Sequence, residues 1–266
     1  MANKKVLIFS DIDGTLVDCT RGMLDISEKT RYALKELKKK AYLFMVTGRP
    51  KCLIQKSIME CEPDGFVLNN GAYAEIEGKQ IYHHPIKKEG VEDFISYCAL
   101  TGDTYMFMNQ DHCYVKSKQD KFVRDFITSM SHDPDEILRE EKIDYGDFIW
   151  LKSMSEEKRV MIENHFAPFY SLNRQQETTF DCVAKGISKG QTLQHILKFI
   201  DFDYEETYCF GDGLNDIEMM KLCDHSFAMG NGRELAKQAA SEVVDDVLDD
   251  GFYNTLVRYN IIEPMN

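Results

Sequence analysis

Short apolar runs, each stopping at a polar turn and each followed by a helix-patterned stretch, constrain the fold of this chain more than any other feature. Val6-Leu7-Ile8-Phe9 is β-branched and aromatic and ends in Ser10-Asp11, the pattern of a strand buried on both faces with its carboxyl end at a site. Ser27 can cap the helix that comes next, and Leu34 and Leu37 share one of its faces. Lys38, Lys39 and Lys40 crowd its last turn, where cations favour the helix dipole. That lysine run is therefore helix chemistry rather than a binding patch. Residues 42–46 form a second apolar run that stops at Thr47-Gly48-Arg49. A helical stretch to about Cys61 and a third strand at 65–68 continue the alternation. Strands separated by helices pair in parallel, because the crossover returns the chain to the same end of the sheet.

The rhythm then breaks. After Asn69-Asn70-Gly71, runs at 73–76 and 80–82 flank Glu77-Gly78-Lys79 and predict a hairpin. From about 85 to 183 the pattern is mixed, with helices near 89–100, from 121 and near 156–164. Strands in this region fall around 105–108, 113–115, 148–151, 169 and 180. Beyond Gly190 the first rhythm resumes with a helix to about 200, a strand at 208–210, a helix from Asn215, a strand at 227–229 and a helix from Arg233. The class is therefore α/β: a doubly wound parallel-sheet core over residues 1–83 and 187–266, split by an inserted α+β domain over 84–186. The acidic stretch 242–250 reads as solvated surface.

A chain of 266 residues is near the upper limit of a single hydrophobic core, which agrees with a core plus an insertion. Forty-five acidic against 32 basic residues leave a net charge of −13, which repels a nucleic-acid backbone and offers no basic stripe to overcome that repulsion. The longest wholly apolar run, 41–46, is far short of the roughly 20 residues that cross a bilayer. Residues 1–5 are not followed by the apolar segment of a secretion signal. The expectation is a cytoplasmic protein with neither nucleic-acid nor membrane partners. Of eight cysteines, no two lie closer than nine positions apart, so metal-binding spacing is absent and reduced thiols in apolar settings are expected. His83-His84 has no companion ligand at metal spacing and reads as a loop at the junction of the two domains.

Four polar clusters stand where α/β domains place their sites, just past strand carboxyl ends. They are Asp11-Ile12-Asp13-Gly14-Thr15, Thr47-Gly48-Arg49, Ser188-Lys189-Gly190 at the start of a helix, and Gly211-Asp212-Gly213-Leu214-Asn215-Asp216. Carboxylates at i and i+2 on extended backbone point the same way about 6.6 Å apart, and Gly14 permits a sharp turn there. A calcium loop starting at Asp11 fails, because its glycine falls two places early and its twelfth position is Gly22. A dinucleotide fingerprint at Gly211 fails as well. Asp216 replaces the third glycine, and two carboxylates would repel a pyrophosphate. Each cluster alone could be a turn, whereas four at strand ends with complementary charges make a site.

In this order the four clusters resemble the motifs of the haloacid dehalogenase superfamily. Asn69-Asn70-Gly71-Ala72 and the stretch Phe227-Ala228-Met229-Gly230-Asn231-Gly232 are similar to its Cof-type sugar-phosphate phosphatase branch. The resemblance implies a Rossmann-like core and a large α/β cap. It also implies that Asp11 is the nucleophile, attacking phosphorus to form an aspartyl phosphate. Asp13 would protonate the leaving alkoxide and later take a proton from water. Repulsion between a carboxylate and a phosphate dianion calls for a divalent cation, and hard oxygen ligands indicate Mg2+. Its ligands would be the Asp11 and Asp212 carboxylates and the Asp13 backbone carbonyl, supported by Asp216, which can pair with Lys189. Thr47 and backbone amides about Gly48 would hold phosphoryl oxygens while Lys189 offsets negative charge. Asn215 would support the metal's ligands or contact the phosphate; Arg49 and Asn70 would lie on the substrate side, with a structural ion pair as the equal alternative for Arg49. Lys185 and Asp181 in the cap are candidates for reading the leaving group, and Trp150 is expected to pack in a core.

The implied function is a magnesium-dependent phosphatase acting on a small phosphorylated metabolite such as a sugar phosphate. The alternative is a phosphomutase that returns the phosphoryl group to a sugar. A dehalogenase would have no use for the proton transfers of Asp13. A non-catalytic binding module would be expected to lack some of the carboxylates or Lys189, and all of them are present.

Overall fold

The computed structural model describes residues 6–153, 155–176, 178–200 and 203–265; residues 1–5 lie outside them. The strands are β1 (Val6–Ser10), β2 (Ala41–Val46), β3 (Gly65–Leu68), β4 (Tyr73–Ile76), β5 (Lys79–His83), β6 (Ile86–Lys87), β7 (Thr104–Met108), β8 (Cys113–Val115), β9 (Leu138–Arg139), β10 (Tyr145–Gly146), β11 (Phe148–Lys152), β12 (Tyr170–Gln176), β13 (Thr179–Ala184), β14 (Glu206–Gly211), β15 (His225–Ala228) and β16 (Glu242–Val243). The helices are α1 (Glu28–Lys40), α2 (Lys56–Met59), α3 (Lys88–Thr101), α4 (Lys121–Ser129), α5 (Pro134–Ile137), α6 (Arg159–Phe166), α7 (Lys189–Phe199), α8 (Ile217–Met220), α9 (Glu234–Ala239) and α10 (Gly251–Arg258).

Two compact units emerge. One comprises Met1–Gly48, Ile54–Tyr82 and Ser188–Asn266, and the other Arg49–Leu53 and His83–Ile187. In the first, an eight-stranded sheet runs in the order β16-β15-β14-β1-β2-β3-β4-β5. It is parallel from β16 to β3, and β4 pairs antiparallel with β3. The chain moves outward one way through β2 and β3, and after the insertion it resumes on the other side of β1 with β14. This reversal places the switch point between β1 and β14, where a crevice opens at the strand carboxyl ends.

The period of two in each strand decides the layers. Ile8, Leu43 and Met45 share one face with Leu34 and Leu37 of α1 and Phe252 and Leu256 of α10. Leu7, Phe9, Phe44 and Val46 share the other with Leu193 and Ile196 of α7, Met219 of α8 and Ala236 of α9. Burying each such side chain is worth about 1.5–3 kcal/mol, so a one-residue slip in β1 would exchange two apolar layers at once. Helix α1 begins where the Ser27 hydroxyl accepts the Thr30 amide at 3.0 Å and ends with Lys38, Lys39 and Lys40 in its last turn.

Residues 242–250 keep their acids at the surface, as expected, but are not surface throughout. Glu242–Val243 is β16, paired parallel with β15; Val244 and Val247 are buried; and Asp246 receives both terminal guanidinium nitrogens of Arg21, at 2.7 and 2.9 Å. Val244 and Val247 turn inward, while Val243 stays exposed and the charges remain at the rim.

The second unit holds a six-stranded sheet, β12-β13-β11-β7-β8-β9, antiparallel apart from the β8–β9 pair. The stacked rings of Phe94 and Phe166, 3.9 Å apart, join α3 to α6. Residues 49–53, which the sequence reading counted with the core, group with this unit: the Cys52 amide bonds the Gln110 carbonyl at 2.9 Å. His83 is the last residue of β5 rather than a free loop, and its Nε2 lies 2.6 Å from Asp147 Oδ1. All eight cysteines are free thiols. Among the described residues no helix is long and apolar enough to cross a membrane.

Candidate active site

The first unit brings three of the four polar clusters together, along with Thr47 and Gly48 of the fourth. β1 and β14 are neighbours in register, Ser10 opposite Phe210, and the Asp11 amide extends the ladder to the Phe210 carbonyl at 3.0 Å. The chain leaves both strands at the same level, so Asp11 and Asp212 emerge side by side. After Asp11 the backbone bends instead of staying extended. The Ile12 carbonyl accepts the amides of Leu16 and Val17, at 2.8 and 3.1 Å, and the Gly14 amide donates to the Val17 carbonyl at 2.7 Å. Asp13 stands on this turn, partly exposed. Gly14 has φ +73°, and a Cβ there would sit 2.3 Å from Asp212 Oδ2. Only glycine meets both demands.

The Asp216 carboxylate clasps the second turn. Its Oδ2 accepts the amides of Asp212 and Gly213, at 3.0 and 2.9 Å, and its Oδ1 lies 2.8 Å from Lys189 Nζ. The same ammonium is 2.9 Å from Asp11 Oδ1, and the Lys189 side chain is 0% exposed. An ammonium out of contact with water is tolerable only when its charge is met at this range. Lys189 opens α7, which Ser188 caps through the Gln191 amide at 3.1 Å. Gly71, at φ +103°, lets the loop after β3 approach the Ser188 carbonyl, where a Cβ would come within 2.4 Å. The Thr192 hydroxyl locks that approach by donating to the Gly71 carbonyl at 2.7 Å.

Thr47 follows β2 and is fully buried, its amide on the Val67 carbonyl at 2.8 Å and its carbonyl accepting the Asn70 amide at 3.1 Å. Asn70 occupies the left-handed region, and its Oδ1 accepts the Asn215 amide group at 2.9 Å. Gly48 lies beside that Asn70 side chain. Arg49 belongs to the other unit, where its guanidinium donates to the Leu53 carbonyl at 2.6 Å. In that unit Lys185 donates to the Ala167 carbonyl at 2.6 Å, Asp181 lies on β13, and Trp150 is buried with its ring 4.9 Å from that of Phe126.

The electrostatics are lopsided. Asp11 feels Asp216, Asp212 and Asp13 against the single cation Lys189. Burial, then Asp216, holds the Asp11 carboxyl well above the usual carboxylate range, with Lys189 opposing. Asp212 is pushed up to about 7, again by burial first and Asp216 second. Burial works against the Lys189 charge, yet Asp11 and Asp216 outweigh it and raise its pKa above the ordinary lysine value.

Such an excess of negative charge on hard oxygens suits a small divalent cation. Asp11, Asp212 and Asp216 each offer an oxygen within 4.8 Å of the others. Asp216, however, spends both oxygens on protein donors. Among the described residues, Asp11 Oδ2 and both Asp212 oxygens receive no protein hydrogen bond. The donor set therefore fits a cation held by Asp11 and Asp212, with Asp216 shaping the turn that carries Asp212.

The residues that sequence reasoning left without a role are Thr192, which pins the loop before the insertion to the helix after it, and Asn231. The Asn231 amide group donates to the Gly14 carbonyl at 2.7 Å, and its Oδ1 accepts the Val247 amide at 3.0 Å. Asn231 lies in the stretch whose resemblance was noted, the one signal that could have drawn attention to it; nothing local marks Thr192.

The family model of the haloacid dehalogenase-like hydrolases matches residues 8–256. YkrA of Bacillus subtilis, a candidate phosphatase by its name, is 27% identical over 249 residues, covering 92% of this chain and 94% of that one. A solved haloacid dehalogenase subclass IIB sugar phosphatase superposes with a TM-score of 0.76 at 27% identity, over 97% of this chain and all of the other. A solved member of a phosphoryl-transfer superfamily, described with a trigonal-bipyramidal intermediate, gives 0.81 at 26% identity over 98% of this chain and all of that one. With its motifs assembled at the switch point of a doubly wound sheet and a family match spanning nearly its whole length, the chain belongs to the haloacid dehalogenase-like hydrolases.

Proposed function

We propose that this hydrolase is a magnesium-dependent phosphatase acting on a small phosphorylated metabolite, a sugar phosphate by preference, through an aspartyl phosphate on Asp11. The observation that carries the reading is the Asp11 carboxylate itself: Oδ1 is held by Lys189 and by the Ile12 amide at 2.7 Å, which leaves Oδ2 for attack. When bound, Mg2+ would offset the repulsion between carboxylate and phosphate dianion and polarise a phosphoryl oxygen.

Asp11 Oδ2 forms a bond to phosphorus in line with the ester oxygen, whose bond to phosphorus breaks. Asp13 delivers its proton to that departing alkoxide. In the second half-reaction Asp13 takes a proton from water as the water oxygen bonds phosphorus, and Asp11 is released with its carboxylate restored. Lys189 holds Asp11 in place and lowers the cost of gathering negative charge around the reacting phosphoryl group. Thr47 and the turn amides bind phosphoryl oxygens. The inserted unit serves as the cap that selects the leaving group, with Lys185, Asp181 and Arg49 among the groups available to it. The sugar phosphatase among the structural relatives supports the substrate class, and the reaction belongs in the cytoplasm, where such metabolites reside.

Hydrolysis of p-nitrophenyl phosphate should require a divalent cation, stop with excess chelator, and vanish in Asp11→Asn, because an amide oxygen is a poor nucleophile. Full activity in chelator would overturn the assignment. Incorporation of solvent oxygen-18 into the released phosphate, without any need for a sugar bisphosphate, separates phosphatase from mutase.

A further inference from the structure

Gly14 is the most pliant link in the turn that carries Asp13, and a side chain distant in sequence holds it. Its amide is satisfied inside the turn by the Val17 carbonyl at 2.7 Å. Its carbonyl is met from outside, by the Asn231 amide group at 2.7 Å. Asn231 is itself anchored at its other end, Oδ1 accepting the Val247 amide at 3.0 Å. The loop bearing Asn231 also grips the partner turn. The Arg233 amide donates to the Asp212 carbonyl at 2.8 Å, and Gly232 approaches that carbonyl so closely that a Cβ would lie 3.0 Å from it. One loop thus ties the turn of Asp13 to the turn of Asp212, and a glycine at φ +73° has no side chain of its own to resist rotation.

We infer that Asn231 is a positioning residue, which fixes the Asp13–Gly14 turn so that the Asp13 carboxyl meets the leaving-group oxygen. The inference rests on the reading of Asp13 as general acid. A misplaced acid costs most where protonation matters most. Aryl phosphates release phenolates that need little help, whereas alkyl phosphates release alkoxides that must be protonated as they leave.

The experiment compares kcat/KM for p-nitrophenyl phosphate and for a primary alkyl phosphate in wild type, Asn231→Ala and Asn231→Asp, all with saturating Mg2+. The Asp variant keeps the shape and the acceptor for Val247 but cannot donate to Gly14, so it tests the inference should the Ala variant fold poorly. The expected result in both is a loss of about 10-fold or more on the alkyl ester and under about threefold on the aryl ester. The inhibition constant of inorganic phosphate should stay within about twofold of wild type. Ile196→Val, a core change in α7, controls for general loosening and should leave the alkyl-to-aryl ratio unchanged. Equal losses on both esters, or no loss on either, would overturn the inference. Activity surviving in Asp11→Asn would instead bring down the phosphatase reading beneath it.

Discussion

Replacing Lys189 by Met keeps an unbranched stem, one atom shorter, and removes the charge and its donors. The ammonium it deletes lies 2.9 Å from Asp11 and 2.8 Å from Asp216, with no exposure to solvent on the lysine. Taking one partner from a buried ion pair typically costs about 3–5 kcal/mol, because the remaining charge stays buried and unmet. At roughly 2–4 °C per kcal/mol for a protein of this size, the melting temperature should fall by about 6–20 °C. The deficit has a signed dependence on pH. Lys189 lowers the Asp11 pKa, so its loss lifts a carboxyl already above its ordinary value further still. A carboxyl whose folded pKa exceeds its unfolded one costs nothing below the unfolded value, and its cost grows as pH rises toward the folded value. The gap between variant and wild type, measured by circular dichroism melts in chelator so that metal binding does not contribute, should therefore be wider at about pH 8 than at about pH 5. The loss also removes the charge that opposes negative charge building up on Asp11 and the phosphoryl group, and kcat should fall by about 10³ or more. A melting temperature within about 2 °C of wild type at pH 8, or a wider gap on the acid side, would refute the argument from the buried pair.

The Gly14→Ala variant must hold alanine at φ +73° with its Cβ 2.3 Å from Asp212 Oδ2, so the two turns must part. A phosphate-release assay should show kcat/KM reduced by about 10²-fold, and wild-type activity with an unchanged melting temperature would contradict the close approach. At the rim, Arg21 lies 2.6 Å from Asp18 and pairs with Asp246. The Arg21 hydrogen bond is the main reason that Asp246 has a lowered pKa. Burial tends to raise Asp18, but the Thr20 hydroxyl and Arg21 overcome it and leave its pKa lowered too. Their stabilisation is thus complete above the unfolded carboxylate value and lost as pH falls below it. Urea unfolding should place Arg21→Ala about 1 kcal/mol below wild type near neutrality, discounted for exposure, with the difference shrinking toward about pH 3. A difference that persists at acid pH would rule out the carboxylate pairs as its source.

The sequence alone determined the elements that are decided locally. An apolar run such as 6–9 or 42–46 can be buried on both faces only within a helix-covered parallel sheet, and its polar terminus must then fall at the sheet's carboxyl edge. Asp11, Thr47, Lys189 and Asp212 could therefore be picked out from their position relative to such runs, and Ser27 and the lysines after Leu37 mark a helix by local capping and dipole energetics. Interactions spanning long stretches of chain were another matter. Nothing near Arg49 tells that residues 49–53 leave the core for the inserted unit, since that depends on a hydrogen bond from Cys52 to the Gln110 carbonyl. The stretch 242–250 looked like surface throughout because composition averages over side chains that the fold separates, sending Val244 and Val247 inward and pairing Asp246 with Arg21. Asn70 meets Asn215, and Asn231 meets Gly14, across 145 and 217 residues. Such amide contacts have no sequence pattern, because an asparagine side chain that satisfies a distant carbonyl looks the same as one that faces water. Only the packed sheet, by bringing the ends of β1, β14 and β15 to one edge, decides which partner each amide has.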